Sequence, residues 1–291
     1  MFEIVREHLE ERPDAERAKG ALGGAAGLSR STAWRYGRNG HAGESGDTDL
    51  RDAIQRVAID WPTYGYRMIT KELHRRGYVA NHKRVLRLMR EDNLLCLRQK
   101  PFVRTTDSSH SLCVYPNLAT AMTITNINQL WVADITYIRL LREFIYLAVV
   151  LDAFSRRCIG WALERYLTAD LTLAALRMAL RDRDVPESLV HHSDRGVQYA
   201  AGEYSDLLEE NGIRISMSRK GNPYDNAKAE RFIRTLKYEE VYLSDYETEA
   251  EARTCIGRFI DQVYNQKRLH SSIGYLPPAE FERSLSLTIY P

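Results

Sequence analysis

Three carboxylates are placed where they could do chemistry. Asp134 interrupts QLWVADITYI, a run of apolar and β-branched residues. Aspartate is disfavoured in such a strand, and a charge held there must be paired or must bind a cation. Asp194 follows a second short apolar run, residues 188–192, at the strand end where ligand groups gather in open α/β sheets. Glu230 lies in AKAERFIRTLK, in which Ala229, Phe232, Ile233 and Leu236 recur at helical spacing. The three are 60 and 36 residues apart. Carboxylates from two strand ends and a helix can hold a pair of hard, oxygen-seeking cations such as Mg2+. Two such ions about 4 Å apart activate an attacking oxygen and stabilise a leaving oxygen in phosphoryl displacement, so the protein needs no nucleophile. Taken singly, each has an ordinary alternative: Asp194 beside Arg195 reads equally well as an ion pair. On its pattern alone, the helix stripe of Asn226, Glu230, Arg234 and Lys237 reads first as a solvated ion-pair face.

The elements that must position these groups follow from periodicity. Strands are expected at residues 129–138, 144–151 and 157–163, joined by short turns as an antiparallel meander. A helix at 169–181, a strand at 188–192, a helix at 202–211 and a strand at 213–215 come next. The helix bearing Glu230 is expected to open at Asn222-Pro223, with Pro at its first position and Asp225 in its first turn. This order is that of an α/β, RNase H-like catalytic domain: a five-stranded mixed sheet flanked by helices. Upstream, helices are expected from Thr48, from Tyr66 to Arg76 and from an Asn81 cap to Asp92, forming a small all-helical subdomain. Residues 25–34 resemble the second half of a helix-turn-helix, and 40–46 have linker composition. The expected divisions are a partial helix-turn-helix-like junction (1–46), a basic helical DNA-binding subdomain (47–104), a connector (105–121), the catalytic core (122–240) and a C-terminal helical extension (241–291).

Charge is unevenly spread. The chain carries +2 overall, but Trp61 to Arg104 holds eleven Lys/Arg against three Asp/Glu. A basic segment beside an acidic remainder suggests a polyanion partner, and Lys83, Arg84 and Arg87 are its candidate DNA contacts. Arg219 and Lys220, in the loop before the Glu230 helix, could grip phosphates. The four cysteines form no C-x-x-C pair, which argues against a zinc knuckle or disulfide framework. The longest apolar run is too short to span a bilayer, and the N-terminus is charged throughout. A cytoplasmic, nucleoid-associated protein with no membrane partner is expected.

Long stretches then resemble a known family. HHSDRGVQY, SMSRKGNPYDNAKAERFIRTLK and YNQKRLHSSIGYLPPAEF are similar to the transposases of the insertion-sequence-three family, the product of its second reading frame. LWVADITYI and VVLDAFSRRCIGW resemble its first catalytic strands, and YGYRMITKELHRRGYVANHKRVLRLMRE its helical DNA-binding segment. The resemblance runs from about residue 48 to 283 and places the family's acidic triad on Asp134, Asp194 and Glu230. It implies a prokaryotic enzyme related to retroviral integrases that cuts and rejoins double-stranded DNA at the element's terminal inverted repeats and inserts it into a target. It also implies two Mg2+ ions, for which Mn2+ can substitute. Arg234 and Lys237 would lie along the DNA approach, and a first-reading-frame partner or fusion and a homo-oligomer are expected. The chain departs from the family at Arg231, where Ser is common, and has no paired His-His/Cys-Cys module. Two alternatives share many of these features: a non-catalytic regulatory DNA binder, and a nuclease without strand transfer.

Other residues have less specific readings. Asp152 reads first as a strand-end turn residue, with an extra metal-site carboxylate as the alternative. Of His191 and His192, one is expected to face the core and one the site. Asp225 and Asn226 read as helix caps, with support of Glu230 as a secondary role. Tyr264, Asn265, Arg268 and His270 follow what reads as the last amphipathic helix, serving either packing or DNA-backbone contact.

Overall fold

The computed structural model describes residues 44–94, 114–219 and 226–289. The expected helix-turn-helix-like segment, most of the connector, Lys220 and Asp225 lie outside them. The chain divides into two compact units, one comprising residues up to 61 with 72–95, the other 62–71 with 96–291.

The first unit holds α1 (Glu44–Asp60), α3 (His82–Glu91) and the end of α2 (Tyr66–Arg75), whose residues 66–71 are assigned to the second. Leu50, Ala53, Ile54 and Val57 of α1 and Val85, Leu88 and Met89 of α3 are buried, the i, i+3, i+4 faces that amphipathic helices must cover. Asn81 caps α3 as expected, its side chain accepting from Lys83 N at 2.8 Å. Helix α1 begins at Glu44 rather than Thr48, so residues 44–46 are helical and not linker. Once a buried face nucleates a helix, adding turns at its end costs little, even for Ser and Gly.

The second unit is built on a sheet of order β3-β2-β1-β4-β5. Its strands are β1 (Leu130–Arg139), β2 (Phe144–Asp152), β3 (Cys158–Glu164), β4 (Val190–Ser193) and β5 (Arg214–Met217). The first three form the antiparallel meander, while β4 and β5 run parallel to β1. This is the RNase H-like order. Alternate residues of β1 serve opposite layers, as the pleat requires. Leu130 and Val132 pack on one side with α6 (Ala227–Glu239), α7 (Glu249–Arg258) and the π-helical turn Phe259–Tyr264. Trp131 and Ala133 pack on the other with α4 (Ala169–Arg181) and α5 (Gly202–Glu210). Gly160 lets α4 approach β3: a Cβ there would meet the Ala175 carbonyl oxygen at 2.2 Å.

Helix α6 is described from Ala227, Asn226 before it (φ −113, ψ 21) being non-helical, and the expected start at Asn222-Pro223 lies outside the described residues. One expectation is corrected. The helix through Ile256 and Phe259 is not the last, for α8 (Pro278–Ile289) follows it.

Candidate active site

Parallel pairing sets Val132 opposite His192. Continuing that register by two residues brings Asp194, just past the end of β4, level with Asp134. Asp134 shares the pleat parity of Leu130 and Val132, so it points to the layer that holds α6. There Ala229, Phe232 and Leu236 are buried against the sheet, and Glu230, one position along from Ala229, remains exposed. The start of α6 is tied directly to β1. Asn226 Nδ2 donates to the carbonyl of Ala133 at 2.9 Å, and the Glu230 amide donates to the carbonyl of Asn226 at 3.1 Å. Two hydrogen bonds therefore connect the residue before Asp134 to the backbone of Glu230. Asn226 was expected as a side-chain cap; its side chain makes no capping bond and serves this bridge instead.

The electrostatics show that the three acids share one neighbourhood. Burial holds the Asp134 carboxyl well above the ordinary aspartate range, and the charges of Asp194 and Glu230 push the same way. The Ile135 amide and the Lys237 ammonium oppose them. One oxygen of each aspartate is turned to the backbone: Asp134 Oδ1 accepts from Ile135 N and Asp194 Oδ1 from Gly196 N, each at 2.9 Å. No three His, Cys, Asp or Glu side chains among the described residues are gathered closely enough to hold a metal ion. The donor chemistry nevertheless fits hard divalent cations: oxygen ligands only, with mutually repelling negative charge that a cation would relieve. A Cβ on Gly196 would lie 3.0 Å from Asp194 Oδ1, so the carboxylate would have to give by a few tenths of an ångström.

The neighbouring candidates divide by surroundings. Lys237 Nζ lies 4.2 Å from the Tyr137 ring centroid, and burial lowers its pKa while Asp134 raises it. Arg234 is exposed, with its guanidinium 5.5 Å from the Tyr238 ring centroid. Arg219 is exposed beyond β5. Arg195 Nε donates to the Ser218 carbonyl at 2.8 Å. Both histidines are buried, so neither opens to the site as expected. His191 Nε2 lies 3.0 Å from Tyr204 Oη, and His192 is held by Ser216 Oγ at 2.8 Å and Ser218 Oγ at 3.0 Å. Asp152 is buried and accepts from the amides of Asn128, Phe154 and Ser155, the pattern of a turn-forming aspartate. Asn265, Arg268, Tyr264 and His270 pack internally. Asn265 bonds both the N–H and C=O of Cys158, Arg268 pairs with Glu239 at 2.8 Å, and Tyr264 stacks edge-on with Phe232 and His270.

In the first unit, Arg84 and Arg87 bond Asp47 at 2.8 and 2.9 Å, and Arg87 also bonds Glu91. These pairs hold the Asp47 carboxyl below its ordinary value despite burial, which opposes them. Lys83 and Arg90 are exposed on the same helix. The Asn226 bridge and the Asp47 ion pairs escaped sequence reasoning because each joins positions far apart in the chain.

Family models for an integrase core domain match residues 125–223 and 211–278, and one for an HTH-like domain matches residues 45–102. The 31 kDa protein of insertion element IS600 from Shigella sonnei is 41% identical over 220 residues, 75% of this chain and 81% of that protein. The transposase InsF of insertion sequence IS3A from Escherichia coli K12 is 37% identical over 220 residues, 75% of this chain and 76% of that protein. The chain belongs to the insertion-sequence-three family of transposases. Among solved structures, the magnesium complex of the HTLV-2 integrase catalytic core is 15% identical, covering 53% of this chain and 96% of that one, with a TM-score of 0.42. This transposase is a polynucleotidyl transferase of the integrase superfamily that acts on DNA in insertion-sequence transposition. No helix among the described residues is long and apolar enough to cross a membrane.

Proposed function

We propose that Asp134, Asp194 and Glu230 are the catalytic carboxylates of this transposase and hold two Mg2+ ions, with Mn2+ able to replace them. The supporting observation is the shared field: Asp134 is raised by burial and by both other acids. When bound, the ions would activate the attacking oxygen and neutralise the leaving one. The chain's part is to fix the acids on three elements: mid-β1, the end of β4 and the first turn of α6. The reaction is hydrolysis of a phosphodiester to expose a 3′ hydroxyl, which then attacks a second phosphodiester, without a protein nucleophile. Arg234 and Lys237 hold DNA along α6, Arg219 and Lys220 grip phosphates before it, and Lys83 on α3 contacts DNA backbone. Arg84 and Arg87, committed to Asp47, position α3 and contribute their remaining donors. Double-stranded element ends and target DNA are the substrates, a first-reading-frame protein supplies end recognition, and joining two ends calls for at least two copies. The site of action is the prokaryotic nucleoid.

The test is to incubate the protein, with and without a first-frame partner, with labelled element-end DNA and Mg2+ or Mn2+. Strand-transfer products that disappear in Asp194→Asn support the reading. Metal-dependent cleavage without joining would reduce it to a nuclease, and binding without metal-dependent chemistry would overturn it.

A further inference from the structure

A second cluster of positive charge lies on the other side of α6. Lys228 and Glu230 are two positions apart, so at 3.6 residues per turn their side chains leave the helix about 200° apart. Lys228 borders a cavity of 720 Å³ between the β2–β3 turn, the start of α6 and residues 272–284. Arg156, from that turn, lines the same cavity, and none of its lining residues carries a carboxylate. Polar groups around the rest of the wall include Ser272 and Ser284, and Gly274 adds backbone.

Among the described residues, no carboxylate lining the cavity faces this charge. Arg156 Nε is buried and has no hydrogen-bond partner among the described residues. Burial lowers the Arg156 pKa and the Arg231 charge adds to that effect, while Tyr264 and Asp152 oppose it. The one carboxylate acting on both Arg156 and Lys228 is Asp152, and its oxygens already accept from three backbone amides. Arg156 holds its place at a positive φ of 68°, a conformation uncommon for a side-chain-bearing residue. Two half-buried cations lining one cavity, with no carboxylate among its described lining residues, are organised for an anion supplied from outside.

We propose that this cavity binds a backbone phosphate of DNA, so that the transposase holds nucleic acid on the face of α6 opposite Glu230 as well as beside it. The proposal rests on DNA as substrate and is independent of the metal-site assignment. A phosphodiester offers the oxygens that the Arg156 fork and the Lys228 ammonium require, and inorganic phosphate is the small probe of the same chemistry.

Two measurements on the full chain test it. In the first, unfolding temperature is followed against inorganic phosphate, with chloride at matched ionic strength. Wild type should be stabilised by phosphate, whereas Lys228→Gln should lose that response and keep its phosphate-free unfolding temperature. In the second, the affinity for duplex element-end DNA is measured against salt. Loss of one phosphate contact should lower the slope of log K on log salt by about 0.9. Lys228→Arg should restore it, which a merely structural lysine would not show. Arg156→Gln should behave like Lys228→Gln; if it does not fold, the Lys228 pair decides alone. A phosphate response lost without any change in slope would assign the cavity to free phosphate and overturn the DNA contact. Unchanged slope and unchanged phosphate response would overturn the site altogether. Because DNA affinity is read without metal, these outcomes stand apart from whether Asp194→Asn abolishes strand transfer.

Discussion

Asp134 is costly to the fold in the absence of metal. Its carboxyl is raised by burial and by two neighbouring acids, so the folded state binds a proton that the unfolded chain, titrating near about 3.9, has already released. For a raised acid, the stability it contributes is full below the unfolded value and is lost as pH rises through the folded one. Metal-free protein should therefore lose stability on going from mildly acidic to mildly alkaline pH. Asp134→Asn should remove part of that loss, raising the unfolding temperature at alkaline pH by about 2–4 °C, equivalent to about 1 kcal/mol. The same substitution should lower strand transfer at least about 10²-fold, as loss of a preorganised electrostatic group does. Unfolding scans at two pH values without metal check the first half, and product formation checks the second. A lower unfolding temperature for Asp134→Asn at alkaline pH would mean that the carboxylate is stabilised by contacts other than those described. Gly196 has a related role at this scale: Asp194 folds back on its amide, and a side chain there would crowd the carboxylate.

Helix α6 carries Glu230, and its docking decides where that carboxylate sits. Apolar burial of Ala229, Phe232 and Leu236 fixes which face meets the sheet, but the Asn226–Ala133 bond fixes the helix start against β1. Asn226→Ala should remove that donor, leaving the Ala133 carbonyl without its bond at a cost of about 1–3 kcal/mol. Its distinguishing effect should be on catalysis, raising the metal concentration needed for half-maximal activity about tenfold, the range seen when a group supporting a metal ligand is lost. A metal titration of strand transfer reads this directly; loss of stability with an unchanged metal requirement would make Asn226 a packing residue only. Much of this element was legible beforehand. The apolar spacing of α6, the meander and the isolated Asp134 are local patterns, and local patterns show in sequence. What ties the start of α6 to the sheet was not, because the Asn226–Ala133 bond joins positions 93 residues apart. Arg84 and Arg87 were legible as basic but not as partners of Asp47, about 40 residues distant.

Across the second unit, distant segments are closed around a polar cluster that no periodicity reveals. Glu282 of α8 accepts from Ser155 Oγ at 2.6 Å and Arg157 at 2.7 Å, and from Arg183 at 2.7 and 3.0 Å. Asp152 sets the turn that presents Ser155 and Arg157, and Asn128 bonds both Asp152 and Arg183. The cluster thus joins the approach to β1, the β2–β3 turn, the segment after α4 and the C-terminal helix. Burial alone would raise the Glu282 pKa, but Arg183, Ser155 and Arg157 outweigh it and the carboxyl is lowered. A lowered acid contributes stability that is present above its unfolded value, about 4.3, and lost as pH falls through the folded one. Glu282→Gln leaves Arg183, itself only 9% exposed, without its counter-charge, and breaking a buried pair from one side costs about 3–5 kcal/mol. The variant should therefore unfold at markedly lower temperature at neutral pH, and the gap to wild type should narrow as pH drops below about 4.3, where the wild-type carboxylate is itself being protonated. Thermal unfolding of both proteins from acid to neutral pH gives the comparison. A gap that stays constant across that range would show that the Glu282 charge is not what closes the unit, and that shape alone holds α8 in place.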